Sequence, residues 1–153
     1  MKALAIIVIA VLLFGLTISE PVHAIPTPKA CMTEVLARAA QLGINGWLWI
    51  EDNEHKIDAA AFVDPATHSV HISDFVSCEL AVSVANHEWA HTRQMDTYGE
   101  RTTAAYGDEL EIIADCASML LESTYTPYIA RKKTKECFGC TQLQLISARN
   151  LLK

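Results

Sequence analysis

Positive charge is scarce in this 153-residue chain: 12 Lys and Arg stand against 18 Asp and Glu, for a formal net charge of −6. An acidic chain repels phosphates, which excludes nucleic acid as a main partner. The one basic cluster, Arg131-Lys132-Lys133-Thr134-Lys135, reads as a solvated loop. Internal repeats and low-complexity segments are missing as well. The longest apolar run, Ala3 to Leu16, is shorter than the twenty or so residues a membrane-spanning helix needs. No cysteine follows that run closely, which argues against a lipid anchor on the chain.

What the first residues do have is the layout of an export signal. Lys2 supplies a positive start, the apolar run follows, and Val22 and Ala24 put small residues at positions −3 and −1 of a cleavage site. Cleavage after Ala24 is expected to leave residues 25–153, enough for one domain and too few for two, with no stable membrane association. The destination is then a periplasm or the external medium, where disulfides persist. Five cysteines are present: Cys31, Cys78, Cys116, Cys137 and Cys140. Cys116 sits in an apolar helical pattern and is expected to be the free thiol. The other four allow three pairings, with bridges from the terminal segments to the middle preferred because long closed loops restrict the unfolded chain most. Cys137 and Cys140 lack the strand-to-helix context of a redox pair, so a structural role is expected.

The strongest chemical signal is His87-Glu88-Trp89-Ala90-His91, an HExxH motif. Residues four apart on a helix share one face, so His87 and His91 can bind one metal ion through their imidazoles. Glu88 then lies within reach of a water on that ion. Twenty residues on, Glu111 and Asp115 are again four apart in an apolar-patterned segment. Glu111 is the candidate third ligand, and Asp115 the candidate partner for the free ring N–H of a ligand histidine. Three protein ligands with a fourth position left to water is the pattern of a catalytic zinc site. The uncharged residues around the motif, Val84, Ala85, Asn86, Trp89 and Ala90, suit a half-buried active-site helix.

HEWAH followed by Glu111-x-x-x-Asp115 resembles the gluzincin arrangement of zinc metallopeptidases. The stretch EIIADC is similar to the signature of small bacterial neutral zinc metallopeptidases. The likeness spans about Ala59 to Leu121. It implies an α+β, zincin-like domain: a short antiparallel sheet or hairpin packed on the HExxH helix and on a second ligand-bearing helix. It also implies zinc held by His87, His91 and Glu111, Asp115 supporting a histidine, and an edge strand that binds extended peptide. Arg93 departs from the pattern, at a position usually apolar, and no downstream lobe is evident.

The expected elements are a helix from Ala30 to Leu42 closed by Gly43, a core strand at Trp47–Ile50, and a hairpin of Ala59–Val63 and Ser69–Ser73 around Pro65. Ile25 to Pro28 reads as extended. The HExxH helix is expected from Cys78 to Met95, capped by Asp74 or Ser77. A polar connection follows at residues 96–107, then a helix from Asp108 to Glu122, an interruption at Pro127, and a last helix from Gln142 to Leu152. His68 and His71 are expected at the surface rather than as further ligands.

These features predict a secreted or periplasmic zinc peptidase acting on a peptide or protein substrate. Glu88 is its general base, and one of Tyr98, Tyr106, Tyr125 and Tyr128 is the donor to the oxyanion. Two other classes compete: an inactive zinc- and peptide-binding module, and a disulfide-stabilised interaction or inhibitor protein in which HEWAH is accidental.

Overall fold

The computed structural model describes residues 28–52, 59–131 and 139–153. The segment expected to be an export signal, Ile25 to Thr27, residues 132–135 of the basic run and Cys137 lie outside the described residues. The architecture is mixed α+β, with helices packed around a small three-stranded sheet. No helix among the described residues is long and apolar enough to cross a membrane.

Helix α1 spans Pro28–Leu42 and ends at Gly43, whose φ of +88° suits a residue without a side chain. Pro28 opens this helix rather than extending a leader, as proline can at a first helical position, where no N–H is required. Strands β1 (Leu48–Asp52), β2 (Ala61–Asp64) and β3 (Ser69–Ser73) follow. β2 and β3 form the expected antiparallel hairpin, but β1 pairs with β3 in parallel, giving the order β1-β3-β2. The sheet is therefore mixed, not antiparallel throughout. Because the chain passes from one edge of the sheet to the other before returning to its centre, the strand next to the HExxH helix in sequence is the central one. The edge is β2.

Helix α2, Cys78–Tyr98, runs through the middle of the molecule. One apolar cluster joins Val35 and Ala39 of α1 and Trp49, Val70 and Ile72 of the sheet to Val84, Ala85 and Trp89 of α2. A second joins Ala90 of α2 to helices α4 (Leu110–Leu120) and α6 (Gln142–Leu151). In the middle of this helix, residues 83 to 92, no position faces solvent broadly, so the polar residues there must find partners inside. Asn86 accepts from Arg38 Nε at 2.7 Å and donates to Ser123 Oγ at 2.8 Å and to the Leu121 carbonyl at 3.2 Å. Ser77 occupies the N-cap of α2, but its side chain makes no capping bond.

Residues 96–107 are more ordered than a polar connection. α2 continues to Tyr98, and the chain then passes through short 3-10 turns at Gly99–Arg101 and Gly107–Glu109 on either side of α3, Thr102–Tyr106. α5, Pro127–Arg131, starts where an interruption is expected, again with proline at the first helical position. α6 opens with a capping box made by Thr141 and Gln144.

The disulfides are Cys31–Cys78 and Cys116–Cys140. Cys116 is thus bridged and is not the free thiol. Its place on an apolar helix follows from α6 folding back over α4, which brings Cys140 to it. With cysteines 47 and 24 positions apart, each bridge stabilises the fold by about 3–4 kcal/mol through chain entropy.

α4 ends in a Schellman motif, with Ser123 N–H donating to Ser118 O at 3.1 Å and Glu122 N–H to Met119 O at 3.0 Å. The left-handed position, φ +67°, is held by Glu122 where glycine is usual. Glu122 is exposed, so replacing it removes backbone strain without opening the core. Glu122→Gly is expected to stabilise the protein by about 0.5–1 kcal/mol, raising Tm by about 1–3 °C. A lower Tm on thermal denaturation would contradict this reading of the turn.

Candidate metal centre

α2 and α4 pack so that two pairs of residues, each four apart, face one another. His87 and His91 from α2 meet Glu111 and Asp115 from α4. The Nε2 atoms of His87 and His91 are 3.1 Å apart, and each lies close to Glu111 Oε2, at 3.2 and 3.3 Å respectively. These three atoms are compact enough to share one metal ion.

The outer nitrogens show which protons are where. His87 Nδ1 lies 2.8 Å from Asp115 Oδ1. Asp115 is fully buried, and its other oxygen accepts the backbone N–H groups of Tyr128 at 2.6 Å and Ile129 at 2.9 Å. A carboxylate so placed is an acceptor, so His87 Nδ1 carries the hydrogen. His91 Nδ1 lies 2.7 Å from Gln94 Oε1, while Gln94 Nε2 donates to the Leu110 carbonyl at 3.0 Å. That second bond turns the amide oxygen toward His91, whose Nδ1 must donate too. In the neutral rings both Nε2 atoms therefore point lone pairs at each other and at a carboxylate oxygen. Three acceptors meeting at this distance repel unless a cation lies among them.

The electrostatics carry the same sign. Burial pushes the His87 pKa down, but hydrogen bonds to Asp115 and Glu111 outweigh it and raise it to about 10. Burial pushes Glu111 up, but its bonds to His87 and His91 hold it well below the usual carboxylate range. Glu88 differs: burial raises its pKa, against the pull of the two histidines. Its Oε2 is buried with no hydrogen-bond partner among the described residues.

A cleft opens over this cluster in two lobes, which share Ala61, His87, Glu88 and Tyr128. Tyr128 stacks on the His87 ring, with centroids 5.6 Å apart. Tyr125 lines one lobe. Tyr98 and Tyr106 instead pack edge to face on one another and line neither lobe. His68 is exposed against Trp47, and His71 is partly buried against Phe62; neither joins the cluster. Arg93 has a structural explanation: its Nε donates to the Leu151 carbonyl at 3.1 Å, fastening α2 to the end of α6, and its guanidinium lies over Trp89.

Gln94 is the site residue that the motif does not reveal. It follows His91 by three positions and so shares its face, but an amide at that spacing acquires meaning only through Leu110 on the other helix. No protein-family model matches the chain, and neither a curated protein nor a solved structure shows significant similarity to it.

Gln94→Leu keeps the volume and removes both hydrogen bonds. The variant is expected to bind a divalent ion about 10- to 100-fold more weakly, as measured by competition with a chromophoric chelator, with an unchanged circular dichroism spectrum. Unaltered affinity would show that His91 needs no such support.

Proposed function

We propose that the chain is a secreted or periplasmic zinc-dependent peptidase of the gluzincin type. The observation that carries this is the convergence of two imidazole lone pairs and a carboxylate oxygen beside the buried, unpartnered oxygen of Glu88. Zinc suits the donor set. At bond lengths of about 2.0–2.1 Å the ligands of a tetrahedral ion lie about 3.3–3.4 Å from one another; the three donor separations here are 3.1–3.3 Å. Two histidines and one glutamate also leave a ligand position to solvent. When bound, the ion would supply Lewis acidity, bringing the pKa of a water toward about 7 and polarising a substrate carbonyl.

The chain's own groups do the rest. Asp115 and Gln94 fix the two imidazoles in the tautomer that offers Nε2 inward. Glu88 lines both lobes of the cleft, and its free Oε2 can take a proton from the attacking water and release it to the leaving amine. Burial raises its pKa, bringing its proton affinity closer to that of the groups it exchanges with. The hydroxyls of Tyr125 and Tyr128 are the candidate donors to the developing oxyanion, since both side chains line the cleft. The two disulfides support an oxidising compartment.

An inactive binding module would gain nothing from Glu88. A buried carboxylate with an unpartnered oxygen costs several kcal/mol, which a proton-transfer role explains and peptide binding does not. Glu88→Gln is expected to retain one ion per chain and to lose peptide hydrolysis by about 10²- to 10⁴-fold. The assay follows cleavage of a denatured protein by mass spectrometry; undiminished cleavage by the variant would refute the role of Glu88.

A further inference from the structure

The chain between α4 and α5 forms one wall of the cleft, and its fastenings can be followed residue by residue. The Leu121 carbonyl accepts from Asn86 Nδ2 and from Arg38 Nη2, each at 3.2 Å. Ser123 Oγ accepts from Asn86 Nδ2 at 2.8 Å and from Ser118 Oγ at 2.5 Å. At the far end, Asp115 takes the N–H groups of Tyr128 and Ile129. Between these two anchors stands Ser83. Its Oγ accepts the N–H of Thr124 at 3.2 Å and that of Tyr125 at 3.4 Å. Among the described residues those two N–H groups have no other acceptor.

Ser83 lies one helical turn before His87 on α2 and shares its face. It is only 3% exposed, and it lines the same lobe of the cleft as His87, Glu88 and Tyr125. A hydroxyl oxygen has two lone pairs, and two successive N–H groups occupy both. The tie therefore fixes the main chain of Tyr125 relative to the helix that carries both histidines and Glu88.

The two tyrosines of this lobe are held differently. Tyr128 lays its ring nearly parallel to the His87 imidazole, and its N–H is bound to Asp115. It covers a ligand. Tyr125 is 41% exposed and makes no ring contact among the described residues. Its side chain has room to turn, so its reach into the lobe depends on where its main chain is pinned. A hydroxyl that must meet a developing oxyanion needs such a pin, because a misplacement of about 1 Å can cost about 10²-fold in rate.

Resting on the peptidase reading, we infer that Tyr125 is the donor to the oxyanion and that Ser83 is its positioning residue. The ligands His87 and His91, the base Glu88 and the donor Tyr125 are then all referenced to α2.

The first readout needs no turnover. Site-resolved hydrogen exchange compares the wild type with Ser83→Ala, a change that favours the helix and removes one oxygen. Exchange at the Thr124 and Tyr125 amides is expected to quicken about fivefold, the worth of one hydrogen bond, with Tyr128 and Ile129 unchanged. Unchanged exchange at residues 124 and 125 would overturn the tie. Equal quickening at 128 and 129 would overturn it too, by showing general loosening instead of positioning.

The second readout uses the zinc-loaded chain and a peptide spanning a bond that it cuts in denatured protein. Tyr125→Phe is expected to lower kcat about 100-fold and Ser83→Ala about 10-fold, each with KM within about twofold. Because Ser83 acts through Tyr125, the double variant is expected to match Tyr125→Phe within about twofold. Undiminished kcat in either single variant, or effects that multiply, would overturn this inference and leave the peptidase reading standing. A wild type that carries one zinc per chain and cuts nothing would overturn both.

Discussion

The Asp115 carboxylate holds together three things that would otherwise be independent. One oxygen fixes the His87 ring, the other fastens the first turn of α5, and the residue itself belongs to the helix that presents Glu111. Taking a carboxylate fully out of water costs several kcal/mol unless hydrogen bonds replace its hydration. Here an imidazole N–H from α2 and two backbone N–H groups from the first turn of α5 do so. The same group therefore orients the His87 ring, anchors the segment that stacks Tyr128 over that ring, and sets the spacing between α2 and α4. Gln94 performs the matching task for His91 with a neutral amide, joining it to the Leu110 carbonyl one residue before Glu111.

This arrangement asks a great deal of α2. Its middle is buried between two apolar clusters, yet it carries the polar side chains of Asn86, His87, Glu88, His91, Thr92 and Gln94, all buried. Such a helix draws little stability from amphipathic burial and depends on its flanking helices staying in place. Each disulfide secures one flank: Cys31–Cys78 ties α1 to the start of α2, and Cys116–Cys140 ties α4 to the segment leading into α6. A short chain with a modest core gains proportionately more from such bridges than a large one. The position after Asp115 in α4 thus carries a covalent brace.

Local periodicity explains which features could be read before the fold was known. His87 with His91, and Glu111 with Asp115, are related by one helical turn, and the β2–β3 hairpin by a tight turn around Pro65, so neighbours in sequence suffice to place them. Gln94, the partner of Cys116, and the parallel pairing of β1 with β3 depend on segments that meet only in three dimensions. The amide of Gln94 is an ordinary helix residue until Leu110 is beside it. Cys116 resembles a buried free thiol until α6 folds back. The edge strand could be placed within the hairpin but not chosen, because the choice depends on the side of β3 to which β1 attaches. Among four candidate tyrosines, only the position of α5 under Asp115 separates Tyr128 from Tyr98 and Tyr106.

The central claim is that the three converging acceptors exist to hold one metal ion, and the most direct measurement is the metal content of the purified protein after dialysis without chelator. Elemental mass spectrometry is expected to find one zinc per chain, removable by a strong chelator and restored by adding zinc back. A protein that holds no stoichiometric metal, even after zinc is supplied, would contradict the account and leave HEWAH as a coincidence of sequence within a disulfide-stabilised interaction protein.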